Sequence, residues 1–370
     1  MVLKRLLPLL LLVSACTAKA PVTFDIRDYG AVSGEVCTAA IQATLDAAQP
    51  GSRVLIPEGT FRSGTLYLQP GVELYLAEGA VLQGVEDPSA YEPYIPQNDL
   101  TRYDSGNGTA NANCVNDRQW MKAFLIGHQI DGASIAGPGI IDGSHVFDER
   151  GEENMRGPHT LIVAETSGFR MSGVTITRAS NYAFLGYALE NALFEGLTIT
   201  EGWDGIHIRG CKDGVIRGCT FRTGDDSIAG GYWENMLIED CDINSSCNGI
   251  RMIMPSEKLE VRNSVFWGPG VYPHRTSGEE HRNNMLFGIS LEPGAWGTAS
   301  GVAKDIYLHH LKMHDLSSPV ATSVREGSVA ENLTLENIVA AGLKGALTPV
   351  VCWNDQGFKN LAVRDCAYSR

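Results

Sequence analysis

Basic residues are scarce in this 370-residue chain, and their scarcity excludes one class of partner. There are 29 Lys and Arg residues against 43 Asp and Glu, which gives a formal net charge of −14. Because nucleic acids are bound through basic surfaces, we expect no nucleic-acid partner. An acidic sugar could still bind, but only through a local group of basic side chains.

Three further patterns are missing from the chain. After the first twenty residues, no apolar run is long enough to cross a membrane. No Cys-x-x-Cys pair or Cys/His cluster has the spacing of a zinc site, so we expect no metal and no cofactor. No Gly-x-Ser-x-Gly sequence occurs, which argues against a hydrolase built around a serine nucleophile.

The first twenty residues have the features of an export signal. Two basic residues precede the apolar run 6–13, and Ser14-Ala15-Cys16 follows it. Small residues directly before a cysteine predict a lipoprotein signal, with Cys16 as the lipidated N-terminus. The alternative is cleavage after Ala18-Lys19-Ala20, which would release a soluble secreted or periplasmic protein.

The residue after the cysteine suggests a destination. By resemblance to Gram-negative lipoproteins, Thr17 implies the outer membrane, on its periplasmic or cell-surface side. We therefore expect residues 1–20 to be a signal peptide and residues 21–370 to form a single domain. The chain would contact a membrane only through the lipid anchor, and we expect it to be a monomer.

The middle of the chain repeats a short apolar unit. Its copies begin 23, 22, 22 and 23 residues apart, at Val174, Leu197, Cys219, Cys241 and Ser264. Weaker copies are found at 133–141, 306–313, 333–339 and 361–366. Each unit is too short for a strand and a helix with two loops, and it would be unstable alone, so the units must stack.

These features predict an all-β fold, a single-stranded right-handed parallel β-helix with about 22–23 residues per coil. A leucine-rich repeat has a similar period, but its regular Leu and Asn positions are missing. Equivalent inward positions hold a ladder of Ile199, Phe221, Ile243 and Phe266. Cys219 and Cys241 should also stack; they could be buried thiols or a disulfide, since the eight cysteines after Cys16 permit pairing.

Three segments depart from the repeat. Residues Thr38 to Ala48 have apolar residues at helical spacing, with Thr38 as the expected N-cap, and should close the N-terminal end of the solenoid. The segments 86–119 and 269–298 interrupt the coils. Because insertions in solenoids gather on one face, we expect both to border the binding site.

Acidic and amide side chains recur at one offset in successive coils. The residue seven places after each coil's start is Asn181, Asp204, Asp226 and Asn248 in turn, and Asp225 stands beside Asp226. Three residues further along, a second row contains His207, Ala229 and Arg251. We expect both rows to line one groove, together with the aromatic side chains Trp233 and Trp296.

Stacked carboxylates suit glycoside hydrolysis. Adjacent coils place Cα atoms roughly 5 Å apart, and at that spacing one carboxylate raises the pKa of the other. The result is a protonated acid beside an ionised base, which glycosidic bond cleavage requires. A purely structural role remains open for Asn181 and Asn248, because Asp and Asn are also common in turns.

The chain resembles glycoside hydrolase family 28, which contains polygalacturonases and rhamnogalacturonases. Trp203-Asp204-Gly205-Ile206-His207 resembles the family's Asn-Thr-Asp-Gly-x-Asp block, and Gly224-Asp225-Asp226-Ser227 resembles its Asp-Asp block. Segments 24–31, 53–84 and 137–143 resemble coils shared by pectin-degrading β-helix proteins. The resemblance implies an inverting reaction in which Asp225 is the general acid, while Asp204 and Asp226 hold and activate water.

Departures from that pattern modify the expected substrate. Asn248 stands where the family has a histidine, and the Arg-Ile-Lys block that binds a galacturonate carboxylate has no match downstream. Arg251 could supply a replacement cation. We therefore expect a pectin-type polysaccharide or oligosaccharide other than plain polygalacturonate, with Asn181, His207, Asn248, Arg251, Trp233 and Trp296 contacting it. The alternatives are a polysaccharide lyase on the same fold and a non-catalytic carbohydrate-binding protein.

Overall fold

The computed structural model describes residues 20–104, 113–275, 281–295, 299–354 and 356–370. The predicted signal peptide with Cys16, except its last residue, and the predicted sugar contact Trp296 lie outside the described residues. The described chain winds as an open right-handed parallel β-helix, so the predicted fold class is confirmed. None of its helices is sufficiently long and apolar to span a bilayer.

Each coil contributes strands to three parallel sheets. The first sheet contains Thr23–Asp25, Arg53–Ile56, Glu73–Leu76, Ser134–Ala136, Arg170–Ser172, Leu193–Glu195, Val215–Arg217, Glu257–Arg262 and Lys359–Arg364. The second contains Gly59–Ser63, Ala80–Gly84, Ile140–Asp142, Thr175–Thr177, Thr198–Thr200, Thr220–Thr223, Asp242–Ser245, Val265–Trp267 and Ala367–Tyr368. The third contains Leu66–Tyr67, Ala123–His128, His159–Ala164, Phe184–Glu190, Ile206–Lys212, Asn248–Met252, Phe287–Leu291, Ser318–Thr322 and Val350–Cys352.

Three longer strands turn a corner between sheets. Ile228–Glu239 runs from the third sheet into the first, and Gly301–His314 and Ser328–Ala341 run from the first into the second. Short 3-10 helices occupy Ile26–Tyr29, Pro88–Ala90, Thr101–Tyr103 and Glu152–Asn154.

The inside of the solenoid is a continuous apolar ladder. The second sheet aligns Ile176, Ile199, Phe221, Ile243 and Phe266 in successive coils, all of them fully buried, so the predicted inward ladder is confirmed. Each such side chain stabilises the fold by about 1.5–3 kcal/mol relative to its exposed state. Cys219 and Cys241 are buried beside this ladder, and the described cysteines form no disulfide.

The corner between the first and second sheets explains the abundance of Gly, Asp and Asn. In five successive coils one residue there has φ between 53° and 73°, the left-handed region. L-residues with a Cβ disfavour this region, and Gly, Asn and Asp tolerate it best. The five residues are Gly173, Gly196, Gly218, Asp240 and Asn263.

One α-helix, Thr38–Ala47, covers the N-terminal end of the solenoid, as predicted. It packs Ile41, Thr44 and Leu45 onto the first coils. The predicted N-cap was wrong by one residue, because the cap is Cys37, which makes no side-chain capping bond. Thr38 instead accepts a hydrogen bond from the backbone N–H of Gly64 at 2.9 Å and so joins the helix to the first coils.

Residues 94–103 and 115–121 pack against the outer face of the third sheet. Their aromatic side chains form an apolar cluster with outward-facing residues of that sheet. The aromatic members of the cluster include Tyr103, Trp120, Tyr182, Tyr187 and Trp203.

Candidate active site

The acidic side chains lie in the corner between the second and third sheets. The strand Ile206–Lys212 pairs with Ile228–Glu239 and that strand with Asn248–Met252, so Ile206, Ile228 and Ile250 are in register. Two residues upstream, the same register aligns Asp204, Asp226 and Asn248. The predicted row is therefore present in these three coils.

Asn181 does not belong to this row. In the second sheet Thr175 pairs with Thr198, 23 residues on, whereas in the third sheet Phe184 pairs with Ile206, 22 residues on. The corner absorbs the extra residue, and Tyr182 rather than Asn181 is aligned with Asp204. Asn181 is instead in line with Trp203 and Asp225, so counting offsets from the second sheet gave the wrong register for this coil.

The second predicted row is confirmed by the register of the third sheet, where His207, Ala229, Arg251 and Ser290 are successive partners. His207, however, is 1 % exposed and cannot reach a sugar. Its ring stacks on Tyr182 with centroids 4.6 Å apart, and its Nδ1 lies 2.7 Å from Asp204 Oδ2. The prediction that His207 contacts substrate is corrected: it contacts Asp204.

A hydrogen-bonded chain fixes the tautomer of His207. The Nε–H of Arg209 donates to His207 Nε2 at 3.3 Å, and an Arg can only donate. Burial and the Arg209 charge hold the pKa of His207 well below its usual range, so the imidazole is neutral. Its single proton is therefore on Nδ1, which donates to Asp204. The chain orients the Asp204 carboxyl without adding a charge to it.

Asp226 is held from two sides. Its Oδ1 accepts hydrogen bonds from Asn248, from the backbone N–H at 3.2 Å and from Nδ2 at 2.7 Å. Its Oδ2 lies 3.7 Å from Arg251, which also pairs with Glu292 at 3.3 Å. Asn248 therefore supports Asp226, and the Arg251 charge is shared between two carboxylates.

Asp225 is the most exposed of the three carboxylates, with 16 % of its side chain accessible against 5 % for each of the others. Its Oδ2 lies 3.5 Å from Arg156 and 3.4 Å from His274. Arg156 is buried and also donates to Asn181 at 3.5 Å, which accounts for the position of that amide. Both of these partners come from segments outside the repeat.

The three carboxylates have different proton affinities. Burial raises the pKa of Asp204 well above its usual range, and the charges of Asp225 and Asp226 add to the effect. Burial and the Asp225 charge raise the pKa of Asp226 to about 6. Burial alone would also raise the pKa of Asp225, but the hydrogen bond to His274 and the Arg156 charge bring it below its usual range. Below about pH 6, one ionised carboxylate therefore lies beside two that retain protons.

This charge pattern differs from the roles implied by the resemblance. There, Asp225 is the proton donor, whereas in the unliganded structure it is the group that ionises first. Because the three groups interact strongly, their protons belong to the set rather than to single residues. The transferable proton lies in the Asp204–Asp226 row.

Cys247 also borders the site. Ligand atoms of Asp225, Asp226 and Cys247 all lie within 4.8 Å of one another, a spacing that a divalent cation could use. The same atoms are surrounded by cations, however: Arg251 lies 3.7 Å from Asp226, and Arg282 lies 3.4 Å from Cys247 Sγ. These charges already neutralise the carboxylates and oppose a metal ion.

The predicted contact Trp233 is wrong. It is 1 % exposed, belongs to the core inside the coils, and donates its indole N–H to the carbonyl of Ile208 at 2.9 Å. A glycine pair, Gly230 and Gly231, both with positive φ, precedes it and shifts the alternation of the strand. Counting along the coil could not show that shift.

Three side chains near the carboxylates were missed because they belong to no repeat. Their segments carry no periodic signal, although the interruption 269–298 was expected to border the site, and the contact of His274 with Asp225 agrees with that expectation. The missed residues are Arg156, His274 and Arg275.

Comparison with known proteins agrees with this architecture. Residues 159–299 match the model of the right-handed β-helix region. An exo-poly-α-D-galacturonosidase of Dickeya chrysanthemi is 23 % identical over 258 residues, which cover 58 % of this chain and 43 % of that protein. The solved family 28 exopolygalacturonase of Yersinia enterocolitica matches with a TM-score of 0.57 at 17 % identity, over 94 % of this chain and 66 % of that one. The chain is similar to these polygalacturonases and has the same β-helix fold.

Two facts bear on which properties of these relatives can be inferred for this chain. The chain spans between 32 % and 64 % of the length of the curated relatives that it matches. The fold is also shared with the surface adhesin PfbA of Streptococcus pneumoniae, at a TM-score of 0.54 and 14 % identity over 94 % of this chain and 100 % of that one. Fold alone therefore does not decide between hydrolysis and binding.

Proposed function

We propose that the family 28-like chain hydrolyses glycosidic bonds in a pectin-type polysaccharide or oligosaccharide, with inversion at the anomeric carbon. One observation carries the proposal: three carboxylates from two adjacent coils meet at one corner of the solenoid, where burial raises the pKa of Asp204 and Asp226 while the His274 hydrogen bond and the Arg156 charge lower that of Asp225. A binding protein has no need of buried acids that repel one another, because their burial destabilises the fold. An enzyme needs that division of protons.

The reaction follows from the positions of the three groups. A proton from the Asp204–Asp226 row passes to the glycosidic oxygen as its bond to the anomeric carbon breaks. A carboxylate removes a proton from the water that attacks the opposite face of the sugar, and Asp225 is ionised for that role. Asp225 and Asp226 lie within 4.8 Å of each other, too close to flank a sugar ring on both sides. The opposed pair is therefore Asp225 and Asp204, across the diagonal between coils.

A reducing-sugar assay tests the proposal with the variant Asp225→Asn. The substrates are polygalacturonan, rhamnogalacturonan and a neutral galactan, and the matched control is Asp240→Asn, an exposed turn position with φ 55° that Asn also tolerates. We expect Asp225→Asn to lose about a thousandfold or more in kcat and the control to retain activity. Equal rates in both variants would exclude a catalytic role for Asp225.

Two readouts separate the alternatives. Proton NMR of the first product reports its anomeric configuration, and an unchanged configuration would overturn the inverting mechanism. A lyase would release unsaturated products that absorb in the ultraviolet. Saccharide binding without either product would mean that the chain is a binding protein.

We also propose that the chain is exported as a lipoprotein through Cys16. Cys16→Ser would abolish incorporation of labelled fatty acid and release the protein from the membrane fraction. Cleavage after Ala20 predicts instead that wild type and variant are equally soluble.

A further inference from the structure

His274 reaches the carboxylates on a segment that does not belong to the repeat. This His274 segment, residues 267–275, begins at the end of the strand Val265–Trp267 and lies against the corner between the second and third sheets. Its imidazole Nε2 lies 3.4 Å from Asp225 Oδ2. Hydrogen bonds weaken steeply beyond about 3.5 Å, so this contact depends on how firmly the segment is held against the coils.

Asn244 binds the beginning of the His274 segment with its whole amide group. It is in register with Trp267 at an outward position of the second sheet, yet it is fully buried. Its Nδ2 donates to the carbonyls of Trp267 at 2.9 Å and Pro269 at 2.8 Å, and its Oδ1 accepts from the backbone N–H of Val271 at 2.7 Å. Two donated bonds and one accepted bond fix both the segment and the orientation of the amide.

The next two side chains extend this attachment. The Ser246 hydroxyl donates to the carbonyl of Tyr272, two residues before His274. The Ser245 hydroxyl donates to the carbonyl of Asp225 at 2.7 Å. Both serines are fully buried, as Asn244 is. Three consecutive side chains therefore bind the segment that carries the histidine and the turn that carries the carboxylate.

Two glycines allow the backbones to approach this closely. A Cβ at Gly270 would collide with the Ser246 hydroxyl, and one at Gly224 would lie 2.8 Å from the carbonyl oxygen of Pro273. Glycine is the residue that permits such contacts between backbones. The returning chain adds hydrogen bonds from the N–H of Gly270 to the carbonyl of Asn283 at 2.6 Å and from the N–H of His274 to that of Arg282 at 2.8 Å.

We propose that Asn244, together with Ser245 and Ser246, is a positioning residue for Asp225 that acts through His274, by holding the His274 segment in contact with the carboxylate. The hydrogen bonds of the Asn244 side chain all go to the backbone of that segment, so its effect on Asp225 passes through the segment. The inference rests on the proposed hydrolase function and deepens it, because it names residues that regulate the carboxylate assigned as the base.

The charges around Asp225 show what the attachment should change. The hydrogen bond to His274 and the charges of Arg156 and Arg251 lower the pKa of Asp225, against the effect of burial. Of these partners, only His274 is carried by the His274 segment. Withdrawal of the imidazole should therefore raise the pKa of Asp225, while the other contributions persist. The other titratable groups that act on this carboxylate or border it are Glu152, Asp204, Asp226 and Cys247.

The protonation of Asp225 can be followed without turnover, by NMR of protein labelled with ¹³C in the aspartate carboxyl groups and assigned with Asp225→Asn. The test compares wild type, Asn244→Ala, His274→Gln and the double variant. We expect Asn244→Ala to move the onset of Asp225 protonation to higher pH by about one unit. The double variant should move it no further than His274→Gln does alone, because both changes remove the same contact.

Two further variants control for loss of stability. Asn332→Ala removes two amide hydrogen bonds from the corner between the third and first sheets and should leave the protonation of Asp225 unchanged. Ser246→Ala removes one bond to the His274 segment and should give a smaller change than Asn244→Ala, in the same direction. Where a saccharide is cleaved, the acidic limb of kcat should move with the protonation of Asp225, with little change in KM.

The outcomes separate this inference from the hydrolase proposal. A lower thermal midpoint in Asn244→Ala and Ser246→Ala with unchanged protonation of Asp225 would mean that these residues are purely structural, and would overturn the inference. Changes that add up in the double variant would also overturn it, because Asn244 would then act on Asp225 by another route. If the expected change is found but no saccharide is cleaved, the positioning role is supported and the hydrolase proposal fails. Cleavage without that change supports the hydrolase proposal and contradicts the positioning role.

Discussion

Two rows of side chains run along the same coils, one inside the solenoid and one on its outer surface. The inner row stacks Ile199, Phe221 and Ile243, and the outer row stacks Asp204, Asp226 and Asn248. Apolar side chains gain from stacking on their like, because burial and dispersion are additive. Carboxylates do not, because each charge raises the pKa of its neighbour.

The outer row therefore depends on groups that the repeat does not supply. Arg156 and His274 come from interruptions of the coils, and the Arg209–His207 chain extends inward from the aromatic cluster. The inner row specifies the architecture. The outer row brings together carboxylates that repel one another, and the surrounding arginine and histidine side chains offset that repulsion. Each prediction below perturbs one row and expects the other to be unaffected.

The largest expected effect is in the outer row. Asp226→Asn should reduce kcat by about a thousandfold or more, because it removes the carboxyl that shares the transferable proton with the donor Asp204. The same variant should be more stable than wild type at pH 8, since a buried charge is lost. In this variant kcat should fall while the thermal midpoint of unfolding at pH 8 rises. A fall in both kcat and the thermal midpoint would indicate that Asp226 is a structural turn residue.

The next effect is in the inner row. Phe221→Ala should lower the free energy of unfolding by about 3–5 kcal/mol, the usual loss for a large buried aromatic replaced by alanine. Urea unfolding measures it, and the control Phe221→Leu should lose less. The folded fraction of Phe221→Ala should keep its kcat. A loss of kcat similar to that of Asp226→Asn would show that the two rows are coupled.

A smaller effect on kcat is expected for His207, which supports the outer row without belonging to it. His207→Gln should reduce kcat by roughly ten- to a hundredfold, the range of one hydrogen bond to a charged or ionisable group, with little change in KM. Its Arg209 bond should persist, because Gln can accept it. If KM rises while kcat is kept, His207 contacts substrate after all.

The pH dependence of stability distinguishes Asp226 from its neighbour Asp225. The folded pKa of Asp226, about 6, lies above the usual value of 3.8. Its contribution to stability is therefore fully present below about pH 4 and is lost as the pH rises through 6. Asp225 has the opposite sign: its contribution is present above its usual pKa and is lost as the pH falls through its lowered folded value.

Activity should follow the proton on the row. We expect kcat to fall about tenfold per unit as the pH rises above 6, because the Asp204–Asp226 pair then loses a proton. In Asp226→Asn the residual rate should lose this limb. A rate that rises through pH 6 would mean that the group with this pKa acts as the base.

The sequence predicted what repeats and missed what does not. Alternation and a 22–23-residue period suffice for the coils, the inner ladder and the Asp204–Asp226–Asn248 row, because parallel register repeats them. Asn181 was misplaced because one corner absorbs an extra residue, and Trp233 because two glycines with positive φ change the alternation. Arg156, His274 and Arg275 had no signal at all, since their positions depend on how the interruptions fold back onto the coils.

The smallest expected effect is at the edge of the inner row. Cys241 is buried beside Cys219, and its thiol donates to the carbonyl of Glu239 at 3.2 Å. Cys241→Ala should lower the free energy of unfolding by only about 1 kcal/mol, because one heavy atom and a weak hydrogen bond are lost. Activity should be unchanged. Dithiothreitol should not change the free energy of unfolding of wild type, of Cys241→Ala or of the control Cys219→Ala. A stability that depends on reductant in wild type but not in either variant would mean instead that the two thiols pair across the coils in the exported protein, and that the inner row has a covalent link.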